Sequence, residues 1–532
     1  MARPVFYDPS GRRRRWTRRA IFATLIVLVL SAVAFASTVV SIPTPSPLPL
    51  GLERRTPLRF RAQVSNLSHS FTALFRSAPK ARANAHGAHP LTVAFYTTWS
   101  DDSAPSLIKH IDQIDWVAPT TLAIDKTGRI VIHEDRALRR ILLSNIHRPL
   151  VMPVLQNVAG DVFSGAATQA LLHSPQRRKA LIAGLSDYLA KTGDAGIIFD
   201  FENLNAGDMV RYRQLVAETN AAFDKSGKVV AVTLPMEGEG WSPQLFAKAA
   251  DKIILMAYDE HWMTGKPGPI ASNGWFSNKV ASAIRSLPAD KVIIALGSYA
   301  YDWREGGSDP AGAASLTIEE AWSVAHDSSA MPTFDKGSGN TGFSYLENGQ
   351  RHDVWMLDAA ASWNQMRMLS HLGVGNIALW RLGSEDPGFW RSLGAWRTGG
   401  NTTPDFSRMA ESANVDVEGQ GEILRVTSTP TTGQRSASFD TRTNIITDLR
   451  YTALPSPYIV QRTGALPKKV ALTFDDGPDP TWTPRILSIL EQYQVPAAFF
   501  IVGENGVQNR PLLERMVRDG MEIGNHSYTH PN

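Results

Sequence analysis

The sequence contains no cysteine. That excludes disulfides, thiolate metal sites and a cysteine nucleophile. It also lacks net positive charge outside its beginning. Residues 1–20 hold seven Arg and one Asp, contributing +6 to a net charge of +4, so the remainder stands at −2. With no basic surface left over, no nucleic-acid partner is expected. No internal repeat is evident beyond an alternation of strand-like and helix-like stretches. What is present is a chain of 532 residues, 43% hydrophobic, enough for two or three domains with real cores.

The N-terminus reads as a membrane signal. Arg12 to Arg15, Arg18 and Arg19 precede the uncharged, mostly apolar run Ala20–Val40. Such a run can cross a hydrocarbon core of about 30 Å. Arginines ahead of a span keep that end in the cytoplasm, which predicts that everything after it lies outside. Ala34-Phe35-Ala36 also resembles a small-residue cleavage site, so anchor and cleaved signal peptide both stand. Either one exports the chain.

Residues 41–90 are rich in Pro, Ser, Ala and basic residues and read as a linker. From Leu91, apolar β-rich runs alternate with helical patterns. The runs are Leu91–Trp99, Trp116–Ile124, Leu150–Val158, Gly196–Glu202, Lys228–Met236, Lys252–Tyr258, Lys291–Tyr299 and Gly375–Leu382. Amphipathic stretches such as Arg177–Lys191 and Met209–Lys225 fill several gaps. Eight strands alternating with helices predict a (β/α)8 TIM-type barrel. The long gap Trp303–Val374 predicts a small insertion before the last strand, carrying Trp322, Phe343, Tyr345 and Trp355. Residues 399–466 turn to Thr, Ser and Asn with short alternating stretches, a connector or small β-rich module. A new α/β pattern begins near Lys468: strand Lys469–Phe474, helix Thr483–Tyr493, strand Ala497–Val502, helix Arg510–Arg518.

The fourth barrel run holds the first chemistry. In a strand, Ile198, Asp200 and Glu202 share one face, and Ile197, Phe199 and Phe201 the other. Two carboxylates at the C-terminal end of a barrel strand sit where barrel enzymes work. Their mutual repulsion lets one keep a proton near neutral pH and serve as an acid. Met256-Ala257-Tyr258-Asp259 ends the sixth run, and Trp380 lies in the eighth. Together these resemble the family 18 glycoside hydrolases, which carry D-x-x-D-x-D-x-E, M-x-Y-D and a Trp on those strands. Asp259-Glu260-His261-Trp262, Tyr301-Asp302-Trp303 and Trp380-Arg381-Leu382-Gly383 look like the spore-cortex hydrolase branch. The resemblance implies a substrate-assisted reaction in which the sugar's own acetamide is the nucleophile. It implies Glu202 as general acid, Asp200 orienting the acetamide, Tyr258 bonding its oxygen, Asp259 fixing the sugar and Trp380 as apolar floor. No cofactor is implied for the barrel. The substrate would be an N-acetylglucosamine polymer or peptidoglycan glycan. Two acidic positions of the motif are filled here by Ala195 and Ile198. An alternative is therefore a non-catalytic, glycan-binding barrel.

The second chemistry lies at the other end. Thr473-Phe474-Asp475-Asp476-Gly477-Pro478 follows a strand, and His526-Ser527-Tyr528-Thr529-His530 comes fifty residues later. Histidines at i and i+4 on a helical turn would share a face and bind one metal, with an Asp as third ligand. The two motifs together resemble the polysaccharide deacetylases, or nodulation-protein-B homology domains. That resemblance implies Asp475 as base, and Asp476, His526 and His530 holding zinc or a similar divalent ion. It also implies motifs beyond Asn532, so the sequence reads as a fragment with an incomplete (β/α) deacetylase barrel and weak metal binding there.

The predicted organisation is a basic cytoplasmic tail at 1–19, a transmembrane signal anchor at 20–40 and a linker at 41–90. The glycosidase barrel follows at 91–398, the connector at 399–466 and the N-terminal part of a deacetylase domain at 467–532. The expected whole is a membrane-anchored, extracytoplasmic hydrolase of N-acetylglucosamine polymers.

Overall fold

The structure is a computed structural model. It describes residues 90–530, save 160–161, 164, 239, 286, 306–311, 400–401, 412–414 and 466–467. The predicted tail, membrane span and linker therefore lie outside the described residues. Among the described residues no helix is long and apolar enough to cross a membrane.

The strands β1 (Thr92–Tyr96), β2 (Trp116–Pro119), β4 (Gly196–Asp200), β5 (Val229–Pro235), β6 (Lys252–Met256), β7 (Val292–Gly297) and β8 (Ile377–Trp380) run parallel, neighbour to neighbour or across β3. β3 comes in two pieces, Leu150–Val151 and Val154–Gln156, on either side of Pro153. Its first piece pairs with Trp116 and Val117 of β2, and its second with Ile198 to Asp200 of β4. β8 pairs with both β7 and β1. The eight strands thus form a closed α/β ring, as the alternation predicts.

Being buried on both faces, these strands are almost continuously apolar. The alternation divides them cleanly. Val93, Phe95, Val154, Ile198, Ala231, Ile254, Ala295 and Ala378 pack inside the ring. Ile197, Phe199, Val230, Val232, Ile253 and Leu255 face the helices outside. Helix Pro175–Thr192 starts where Ser174 accepts from the Arg177 amide and ends at Gly193 with φ 78°. It buries Leu181, Leu185 and Leu189, one every four residues. Helix Ala206–Phe223 begins earlier than the apolar pattern suggests, because the Asn205 side chain caps the Asp208 amide.

The insertion is built of strands Ala300–Arg304, Ala314–Leu316, Thr333–Phe334, Thr341–Glu347 and Gln350–Met356, with helices Ile318–Asp327 and Ala359–His371. Its sheet does not stop at the barrel. Thr333 pairs with Arg450, and strands Ile446–Ala453, Gly433–Phe439 and Arg408–Met409, from the stretch read as connector, extend it. Arg435 seals this junction. Its guanidinium pairs with Asp386 at 2.7 Å, both side chains almost wholly buried. It also lies 5.7–5.8 Å from the ring centroids of Trp322, Phe406 and Tyr451. Asp386 accepts further from the amides of Ala359 and Gly388.

At the C-terminal end, strands Thr473–Gly477, Ala498–Ile501 and Glu522–Asn525 make a parallel sheet. Leu487, Leu490, Phe499, Ile501 and Met516 form its small core. One sequence reading is corrected here. His526 to His530 are not on a helical turn; they occupy a bend after the last strand, with Ser527 at φ 65° and His530 at φ 49°.

Candidate active sites

Asp200 ends β4, facing into the ring, and is buried. Gln156 of β3 stands in register with it and donates to one carboxylate oxygen at 2.8 Å. The Thr233 hydroxyl of β5 donates to the other oxygen. One donor from each neighbouring strand therefore holds Asp200. Burial pushes its carboxyl up, and these two hydrogen bonds oppose that.

Glu202 follows two residues later and is half-buried. Asn157 grips its backbone from both sides, accepting from the Glu202 amide and donating to its carbonyl, each at 2.9 Å. Among the described residues nothing donates to the Glu202 carboxylate itself. Burial, with the charges of Asp200 and Asp259, pushes its carboxyl from the ordinary 4.5 to about 8. The two carboxylates are thus differentiated by their surroundings: one is supplied with donors, the other keeps its proton.

Tyr258 and Asp259 follow β6, and Trp380 ends β8. Asp259 has φ 64°, and its carboxylate accepts from the hydroxyls of Tyr299 and Tyr301. Its side chain opens to solvent on one side, while enclosure by the aromatic wall pushes its carboxyl up against those two hydrogen bonds. Tyr258 and Trp380 both pack between the ring interior and the cluster of Tyr299, Tyr301 and Leu357. Phe95 meets the Trp380 ring edge-on at 5.3 Å. The ring therefore brings Asp200, Glu202, Tyr258, Asp259 and Trp380 to its C-terminal mouth. Gln156, Asn157, Thr233, Tyr299 and Tyr301 escaped sequence reasoning as site residues. For the first four the signal is a polar or phenolic group toward the C-terminal end of an apolar strand run; Tyr301 stands only in the stretch Tyr301-Asp302-Trp303, with no role attached. Ile198 lies wholly buried inside the apolar ring.

The second constellation joins the end of one strand to the bend that follows another. Asp476 lies within the bulge between Phe474 and Gly477 of strand Thr473–Gly477, with φ 65°. One Asp476 oxygen is 3.3 Å from His526 Nε2 and 3.4 Å from His530 Nε2. The ligand atoms of all three lie within 4.8 Å of one another, the one such cluster among the described residues. Two imidazole nitrogens and a carboxylate suit zinc and similar divalent ions. Asn505 donates to the Asp476 carbonyl at 2.9 Å, and the Gly503 and Glu504 amides bond the Ser527 and Tyr528 carbonyls. Asp475 is adjacent and exposed.

Residues 91–386, more than half of the chain, match the model of "Glycosyl hydrolases family 18", and the chain belongs to that family. Residues 463–532 match the model of "Polysaccharide deacetylase". The uncharacterized glycosylase YvbX of Bacillus subtilis is 27% identical over 314 residues, covering 56% of this chain and 89% of that protein. The chitooligosaccharide deacetylase of Sinorhizobium fredii is 45% identical over 73 residues, which is 14% of this chain and 34% of that protein. The chain thus spans about a third of the length of that deacetylase. Among solved structures, the Bacillus cereus spore cortex-lytic enzyme SleL superimposes with a TM-score of 0.52 at 21% identity, covering 57% of this chain and 74% of that one. That likeness shows the shared barrel fold. The chain is a carbohydrate-active hydrolase with a glycosidase domain and a segment of the deacetylase kind.

Proposed function

We propose that the barrel cleaves N-acetylglucosamine-containing glycans outside the cytoplasm by a substrate-assisted reaction. The single observation that carries this is the unequal pair: Asp200 with a donor on each oxygen, Glu202 with none and pushed up to about 8. Glu202 is then protonated at neutral pH and gives its proton to the glycosidic oxygen. The sugar's acetamide oxygen attacks the anomeric carbon as that bond breaks, and water later opens the resulting ring. Asp200 orients the acetamide and balances its developing positive charge. Tyr258 donates to the acetamide oxygen, Asp259 bonds the sugar, and Trp380 forms the floor beneath it.

In the C-terminal segment, Asp476, His526 and His530 are the residues that would hold a divalent ion, zinc or similar. Such an ion acts as a Lewis acid toward an acetamide carbonyl. Asp475 would take the proton of the attacking water, and the reaction would release acetate. The deacetylase-type match and the ligand donors support this reading. Export rests on the arginines ahead of Ala20–Val40. A periplasmic reporter fused after residue 60 should be active and a cytoplasmic one silent; the reverse reverses the topology.

The test of the glycosidase reading is Glu202→Gln on N-acetylglucosamine oligomers, with cleavage and binding measured on the same oligomer. Cleavage should vanish and binding persist. Wild-type protein that binds but does not cleave would instead make the barrel a glycan-binding module.

A further inference from the structure

We propose that Tyr299 and Tyr301 are positioning residues that hold Asp259 toward Glu202 and thereby keep the proton of this carboxylate cluster on Glu202. This rests on the catalytic reading above and assigns a task to two phenols that it leaves unused. After β7 the chain runs directly into strand Ala300–Arg304 of the insertion. Alternation along that stretch puts Tyr299, Tyr301 and Trp303 on the face toward the site. Asp302 points the other way, to His352 and Tyr345. Both phenol hydroxyls converge on the same oxygen of Asp259, that of Tyr301 at 3.2 Å. The rings are themselves locked. Tyr258, Tyr299, Tyr301 and Trp303 meet edge to face in succession, with centroids 6.0, 5.2 and 5.3 Å apart. Tyr299 and Tyr301 are 5% and 8% exposed, so water competes poorly for their hydroxyls.

The backbone adds to the case. Asp259 adopts a left-handed conformation that a non-glycine residue holds only where its surroundings enforce it. The titratable groups facing this centre are Asp200 at the end of β4 and Glu202 after it, Tyr212 of the helix Ala206–Phe223, Tyr258 and Asp259 after β6, and Tyr299 and Tyr301 after β7. Among the described residues none of the three carboxylates pairs with a cation. The two phenols, together with the solvent that reaches its open side, favour an ionised Asp259. An ionised Asp259 repels the Glu202 anion and keeps Glu202 protonated. Without the phenols Asp259 takes up the proton more readily, and Glu202 gives its own up at lower pH.

The test uses the full chain. The pH dependence of kcat/KM on N-acetylglucosamine oligomers is compared for wild type, Tyr299→Phe, Tyr301→Phe and the double variant. The alkaline limit should move down in each, reaching about 1 pH unit in the double, the scale of one neighbouring charge. Asp259→Asn removes the charge outright. On that background the Tyr→Phe changes should shift the Glu202 titration no further. A double variant with an unmoved alkaline limit overturns the proposal, whatever its overall rate. If the wild type does not cleave at all, the catalytic reading fails separately. The Glu202 titration is then read by carboxyl NMR, assigned with Glu202→Gln. A titration unchanged by the double variant overturns the proposal there too.

Discussion

The two constellations use the same kind of group in opposite ways. In the barrel, Asp200 is buried and takes donors from the strands on either side, in a ring whose hydrogen bonds close on themselves. In the C-terminal segment, Asp476 is 67% exposed and meets from a strand bulge the two histidines of the bend that follows the last strand of a three-stranded sheet. A closed ring fixes positions before any ligand arrives, so its carboxylates can be forced away from ordinary titration. The C-terminal triad has little burial to work with. A ligand bound only by the ordered form would stabilise that form.

The largest expected effect sharpens the barrel side. Glu202→Gln should lower glycan cleavage by about 10²–10⁴-fold, the usual contribution of a general acid. Next is stability. Arg435→Met strands the buried Asp386 and should cost about 3–5 kcal/mol in urea unfolding of the barrel. His526→Ala, at the C-terminal site, should leave that barrel transition in place. An Arg435→Met protein as stable as wild type would mean the sheet extension is not part of the barrel's folding unit.

Chelation divides the two sites more gently. A strong chelator should leave glycan cleavage unchanged, while any acetate release is lost and returns with added zinc. Cleavage that falls on chelation would break the comparison. The smallest effect is on stability against pH. Glu202 titrates near 4.5 unfolded and about 8 folded, so between those values the folded chain holds a proton the unfolded chain has lost. Stability from this group therefore falls as pH rises through that window. Glu202→Gln, which cannot ionise, should unfold at a higher temperature than wild type at pH 9 and show little difference at pH 4.

The barrel was legible because its strands are apolar runs of the right length separated by amphipathic helices. All eight runs, from Leu91–Trp99 to Gly375–Leu382, contain a ring strand. The face shared by Ile198, Asp200 and Glu202 followed from strand periodicity alone, and Ile198 and Asp200 do point into the ring. What periodicity cannot supply is who stands opposite. Gln156 and Thr233 lie 44 and 33 residues from Asp200, and only ring closure and register bring them to it. Tyr299 and Tyr301 reach Asp259 for the same reason. The role of Arg435 was invisible because its partner Asp386 is 49 residues away and a lone Arg in a polar stretch reads as surface. The histidine pair misled in another way. Spacing of i and i+4 fits a helix, but positive φ at Ser527 and His530 lets a bend bring the rings equally close, with centroids 5.1 Å apart.

The central claim is that the substrate's acetamide is the nucleophile, with Glu202 as its acid. The most direct measurement is the initial rate of cleavage by the full chain on two matched oligomers, one of N-acetylglucosamine and one of glucosamine, with Glu202→Gln as control. The account predicts cleavage of the acetylated oligomer, none of the deacetylated one, and neither by the variant. Equal cleavage of both oligomers would contradict it.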